Sequence, residues 1–195
     1  MPKLDPRRKY EEMPSGAVYR SATSGTSMVH NSLSGRGELD CHSQYLANSS
    51  AWASCRVYND ANISVANNSW QALTFNSERW DTDNIHSTTT NTGRLTCVTP
   101  GLYLIMGHVS FTANVAGNRG VRLVANISGA TAYLHTILGL GAFAAHNTIV
   151  GIHTMAQFSV DDYVTFEAYQ NSGGPLDVIS SAQVSPEFMM VRLGA

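Results

Sequence analysis

The stretch Asn91-Thr-Gly-Arg-Leu-Thr-Cys-Val-Thr-Pro-Gly-Leu-Tyr-Leu-Ile105 contains two strands and the turn that joins them. Arg94-Leu-Thr-Cys-Val98 reads as a short buried strand, with Cys97 as a small core hydrophobe. Pro100-Gly101 is turn chemistry, because proline presets φ and glycine accepts conformations closed to other residues. The chain then runs from Leu102 to Thr112, apolar at odd and even positions alike. A strand of that length, apolar on both faces, belongs in the middle of a sheet.

Working outward, the same punctuation recurs. Trp70-Gln-Ala-Leu-Thr-Phe75 alternates at period two between Asn67-Asn-Ser69 and Asn76-Ser77, both turn formers. Val121 to Ile127, Tyr133 to Leu138, Thr148 to Met155 and Tyr163 to Tyr169 are further strand candidates, rich in β-branched and aromatic residues. Leu176 to Ser180 and Glu187 to Leu193 close the chain. The turn signals fall about 10 to 15 residues apart, which predicts an all-β antiparallel sandwich or jelly roll over residues 55–195. Heptads, repeats and long helical periodicities are missing from the pattern.

Residues 1–54 differ. They lack sustained periodicity and carry the loop clusters Pro14-Ser-Gly16, Ser24-Gly-Thr-Ser27 and Ser34-Gly-Arg-Gly37. Such a segment cannot close a core alone. It is expected to be an extended N-terminal arm that docks on its own domain, a sister subunit or a partner. The run Arg7-Arg8-Lys9, with Tyr10 beside it, would anchor the arm on an acidic protein surface.

Charge excludes several functions. Only 13% of the 195 residues are charged, the net charge is −2, and Lys3 and Lys9 are the only lysines. A nucleic-acid binder needs a positive field, and a disordered polyelectrolyte needs more charge. No run of about 18 apolar residues predicts a membrane span. The charged N-terminus lacks a following apolar run, so it is not read as a secretory signal. Strand edges free of lysine are an aggregation hazard unless something covers them.

The quoted stretch resembles the globular head domain of complement subcomponent q, within the tumour-necrosis-factor-like jelly-roll superfamily. That family has a Thr-Gly-x-Phe-x-Cys-x-x-Pro-Gly-x-Tyr-x-Phe pattern, matched here by Thr92-Gly93, Leu95, Cys97, Pro100-Gly101, Tyr103 and Ile105. Two aromatic positions have become Leu95 and Ile105, which keeps the burial. Val160-Asp-Asp-Tyr-Val164 fits the family's Gly-Asp-x-Val turn without its glycine, and Ser185 to Leu193 fits the closing strand. Arg56 to Asn62, Ser69 to Phe75 and Glu78 to Asp83 look like the variant of the domain found in virion proteins of tailed bacteriophages. The resemblance implies a homotrimer with aromatic and aliphatic side chains along a threefold axis. Tyr103, Ile105, His108, Phe111, Tyr163, Phe166 and Phe188 are the residues expected in trimer or core packing.

Candidate chemistry is sparse. No nucleophile elbow, zinc-protease helix or phosphate loop is present, so no enzyme and no cofactor are expected. Asp81 and Asp83 flank Thr82 at a spacing that can feed oxygens to calcium, or can simply bond the turn's own backbone. A ring of His108 at a threefold axis would make assembly pH-sensitive. Cys41 and Cys55 could bridge a loop, although three cysteines do not form a closed framework. The scattered arginines, Arg56, Arg79, Arg94, Arg119 and Arg122, are expected either in water or paired with Glu78, Asp81 or Glu167 across subunits. The Asn-x-Ser triplets at Asn48, Asn62, Asn67 and Asn126 are read as chance in an Asn- and Ser-rich chain.

Fold resemblance leaves function open, since one fold hosts many. The expected role is a structural virion protein, a capsid decoration or surface trimer held by its arm to the major capsid protein or another virion protein. The alternative is a receptor-binding knob for a host-surface glycan or protein, with Trp80 available to stack on sugar rings.

Overall fold

A computed structural model describes residues 52–141, 145–181 and 184–194. The anchoring residues Arg7, Arg8, Lys9 and Tyr10, and Cys41, lie outside the described residues, as does the expected arm except for its last three residues. The regular elements that follow are all strands. They are β1 (Ser54–Tyr58), β2 (Ile63–Val65), β3 (Ser69–Ala72), β4 (Ser77–Asp81), β5 (Arg94–Thr96) and β6 (Gly101–Phe111). Then come β7 (Asn118–Ile127), β8 (Ala130–Gly141), β9 (Thr148–Phe158), β10 (Tyr163–Gln170), β11 (Leu176–Val178) and β12 (Glu187–Gly194).

The strands form two layers. The larger sheet runs β4-β1-β12-β6-β9, with β11 joined to the end of β6 at Phe111 and β2 beyond it. The smaller sheet runs β5-β10-β7-β8. β3 lies along the remaining length of β10, with its end tied by the Leu73 N–H, which donates to the Phe166 carbonyl at 2.9 Å. Every ladder is antiparallel, as a chain of hairpins and Greek-key crossings requires. β6, the long strand of the opening stretch, is central, paired with β12 on one side and with β9 along all of its length on the other.

Alternation places the core between the layers. Tyr103, Ile105, Val109 and Phe111 of β6 are fully buried, as are Val121 and Leu123 of β7, Val164, Phe166 and Ala168 of β10, and Phe188 and Met190 of β12. The rings of Phe166 and Phe188 lie 5.6 Å apart, and Phe75 lies 5.7 Å from Phe188 on its other side. Gly107 interrupts the large residues of β6 because Phe166 occupies its place: a Cβ there would lie 2.8 Å from a ring carbon. Each large side chain removed from water contributes roughly 1.5–3 kcal/mol, so this row dominates the stability.

Most polar groups inside the sandwich are matched; Ser110 Oγ and Arg119 Nε find no partner among the described residues. The Tyr103 hydroxyl donates to the Thr99 carbonyl at 2.5 Å. Gln170 donates to the carbonyls of Val65 and Gly174. Arg119 is buried without a carboxylate. Its guanidinium donates to the carbonyls of Asn114, Ala116 and Asn118 and lies over the Phe111 ring, which pins the β6–β7 loop. Val160-Asp-Asp162 is a turn, with Asp161 at φ 70° and the Asp162 carboxylate accepting the N–H groups of Ser128 and Ser159.

Candidate functional site

The same alternation that buries Tyr103 and Ile105 turns Leu102, Leu104, Met106 and His108 to the outer face of the larger sheet. Register then builds rows across three strands. Met106 lies between Met189 of β12 and His153 of β9, and Leu104 lies between Val191 and Met155. His108 lies between Glu187 and Gly151. Ile149, Met155, Leu102 and Leu193 are exposed, Met155 by 61%. Isolated apolar residues on a surface are ordinary, but among the described residues this is a connected apolar sheet face that stays partly open to water.

A charged knot closes one side of that face. Glu187 is 3% exposed and accepts from Arg56 Nε at 2.7 Å and from Arg79 Nη2 at 3.2 Å. Ser185 Oγ lies 3.3 Å from the same carboxylate. Burial by itself would raise the Glu187 pKa, but the hydrogen bonds and charge of Arg56, then Arg79, with His108 nearby, hold it below the usual carboxylate value. Arg79 stacks over Tyr58 and Arg56 over Trp80, which keeps both guanidinium groups in place.

The smaller sheet has a different outer face. Tyr163, Thr165, Glu167 and Tyr169 of β10 point away from the core. The Arg122 guanidinium is paired with Glu167 at 2.6 Å and held between Trp70 and Tyr133, 4.4 and 4.9 Å from their ring centroids. Trp70 packs on Tyr169 as well. Beside this cluster a groove of about 450 Å³ opens between β3 and β5, lined by Thr74, Thr89, Asn91, Arg94, Tyr163 and Thr165 among others. A second depression of about 210 Å³ continues from it and shares Asn91 and Arg94. The Arg94 guanidinium rests 4.6 Å from the Tyr163 ring centroid. Arg94 makes no salt bridge among the described residues.

The residues expected in trimer or core packing divide between places. Tyr103, Ile105, Phe111, Phe166 and Phe188 are in the core. His108 is on the outer face of the larger sheet, and Tyr163 on the outer face of the smaller one. Asp81 accepts the N–H groups of Asp83, Ile85 and His86 at 2.8–3.1 Å, and Asp83 accepts that of Thr99. The pair therefore organises its own turn, and no group of three metal-ligating side chains occurs among the described residues. Cys55 and Cys97 are buried free thiols. Of the arginines expected either in water or paired across subunits, Arg122 pairs with Glu167 inside one chain, because adjacent strands put the two side by side. Arg56 and Arg79 choose Glu187 instead of the acids near them in sequence. His86 is buried between Glu78 and the Thr92 carbonyl.

Sequence reading missed Leu104, Met106, Met155, Met189 and Val191 as surface residues. The signal was the two-faced apolarity of Leu102 to Thr112, read there as burial on both sides. It also missed the groove, which gathers residues from three separate segments.

The sequence matches no protein-family model and no curated protein. Solved structures do match. Murine APRIL at pH 5.0 superposes with a TM-score of 0.57 at 11% identity, over 73% of this chain and 100% of that one. Tumour-necrosis-factor-like jelly rolls are what this sandwich is similar to. The described domain has that fold. The Eiger TNF of S. frugiperda gives 0.55 at 11% identity, over 73% of this chain and 93% of that one. The globular domain of the zebrafish complement 1qA protein gives 0.50 at 16% identity, over 71% and 93%. Identities this low establish the fold and leave function to the two sheet faces.

Proposed function

We propose that this chain is a non-enzymatic structural protein that assembles as a homotrimer on the surface of a tailed-bacteriophage virion. Its N-terminal arm, residues 1–54, would hold it to the major capsid protein or another virion protein. Capsid decoration is the preferred role, with the trimer clamping neighbouring capsid subunits against internal pressure.

The observation that carries the reading is the row of Leu104, Met106, Met155, Met189 and Val191 on the outer face of the larger sheet, half-buried or exposed among the described residues. Burying such a face against sister subunits gains about 25 cal/mol per Å², and closed symmetric assembly leaves no edge for further growth. The phage assignment rests on the resemblance of residues 56–83 to virion variants of the domain. Sedimentation of the full chain, followed by a map of the assembled particle, tests it. A trimer whose arm crosses the major capsid protein supports decoration, and a monomer with a free arm contradicts it.

A second reading, a receptor-binding knob, is favoured by one separate observation. The smaller sheet turns Trp70, Tyr133, Arg94 and a hydroxyl-lined groove outward. Particles lacking the protein would then keep stable heads but fail to adsorb to the host.

A further inference from the structure

We propose that the Arg94 groove binds a carboxylate-bearing sugar residue of an acidic glycan, an inference that rests on the receptor-binding reading. Three features define the ligand. The first is charge. Arg94 presents a guanidinium stacked on the Tyr163 ring, and no carboxylate of the described residues neutralises it. Arg122, the other arginine whose guanidinium stands on the outer face of the smaller sheet, is occupied by Glu167, as Arg56 and Arg79 on the larger sheet are by Glu187. A planar guanidinium fixed by stacking is suited to bidentate contact with a planar carboxylate.

The second feature is the lining. Thr74, Thr89, Thr92 and Asn91 line the groove with Arg94 and can both donate and accept, while Thr165, whose hydroxyl donates to the Val124 carbonyl, can still accept. Such a wall matches a ligand rich in hydroxyl groups. It does not match a phosphate, which is held by several positive or N–H donors at once, whereas this groove offers one cation. Arg94 N–H itself is spent on the Asn91 carbonyl at 3.1 Å.

The third is extent. Thr165 on β10 pairs with Arg94 on one side and Val124 of β7 on the other, and Val124 pairs with Tyr133 of β8. With strands about 4.8 Å apart, the row from Arg94 to Tyr133 spans about 14 Å, room for a short oligosaccharide. Tyr133 is 66% exposed, and its ring offers the far end of the row a flat apolar platform.

The test is titration of the full-length protein with glucuronate, followed by amide and tyrosine NMR signals. Glucose, acetate and inorganic phosphate are the comparison ligands. Glucuronate is expected to shift the signals of residues 89–96 and 163–165 with a Kd on the order of 1 mM, as for a small ligand with one bidentate charge contact. An acidic oligosaccharide should bind more tightly and move Tyr133 too. Arg94→Gln should weaken binding at least about tenfold. Arg94→Lys, which keeps the charge and loses the fork, should fall between. Thr74→Val, which removes one hydroxyl from an exposed position, should weaken binding without altering the melting temperature, so a folding defect at position 94 cannot mimic the result. Equal binding of acetate, glucose or phosphate overturns the proposal, as does unchanged glucuronate binding in Arg94→Gln or no shift with any acid. If glucuronate binds while particles lacking the protein adsorb normally, the groove stands and the receptor role falls.

Discussion

Arg56 Nε lies 2.7 Å from Oε2 of Glu187, joining side chains 131 residues apart in the chain. The contact ties β1 to β12 on the outer face of the larger sheet, and Arg79 of β4 completes it from the next strand. Glu187 is thus a buried carboxylate held ionised by two cations that are themselves partly in water.

That arrangement predicts a pH dependence. The folded-state pKa of Glu187 lies below its unfolded value, so the group stabilises the fold at pH above the unfolded value and loses that contribution as pH falls through the folded one. Glu187→Gln should cost about 1–2 kcal/mol at pH 7, discounted because Arg56 and Arg79 are 35% and 45% exposed. Urea unfolding of both proteins from pH 7 downward should show the gap closing below about pH 4. A gap that widens in acid would refute the assignment.

The contact between Gly107 and Phe166 predicts an overpacking penalty. A Cβ at position 107 would meet three ring carbons at 2.8–3.0 Å, and that ring is backed by Phe188. Gly107→Ala should lose about 1–3 kcal/mol. Gly151→Ala, where the nearest atoms are at 3.8 and 3.9 Å, should be close to neutral. Equilibrium denaturation of the two variants checks the contrast, and similar losses would show that Phe166 moves freely.

The apolar face predicts a separable assembly defect. Leu104 is half-buried on the outside of the sheet, so a carboxylate there can reach water in the monomer but not in a covered interface. If the proposed trimer forms through this face, Leu104→Glu should sediment as a folded monomer and the parent protein as a trimer. A variant that stays trimeric would move the interface elsewhere.

The thiols predict a reactivity pattern. Burial, followed by the charges of Asp81 and Glu78, pushes the Cys55 pKa far up, and burial raises that of Cys97. Only the thiolate reacts. In a Cys41→Ser background, a thiol reagent should label nothing in the native protein and two groups after unfolding. Rapid native labelling would show that β1 or β5 opens easily.

The strand pair around Pro100-Gly101, the shared face of Tyr103, Ile105 and Phe111, and the turn at Val160-Asp-Asp162 were all legible in the sequence. Each depends on local rules: period-two alternation, turn residues with defined φ, and apolar content. Those rules determine which residues of a strand share a face. They do not say whether a face is covered, because coverage depends on where the second layer and any other copy lie. The two apolar sides of Leu102 to Thr112 were therefore identical in sequence, and only the packing of β7 and β10 on one of them made Tyr103 core and Leu104 surface. The partners of Glu187 and the groove around Arg94 were illegible for a related reason. They join segments far apart in the chain, and neither register nor layer order can be read from alternation alone. By itself the sequence determined an antiparallel sandwich and which side chains of each strand share a face; the tertiary structure decided which charges meet and which face of each strand is core, because both depend on how the layers stack.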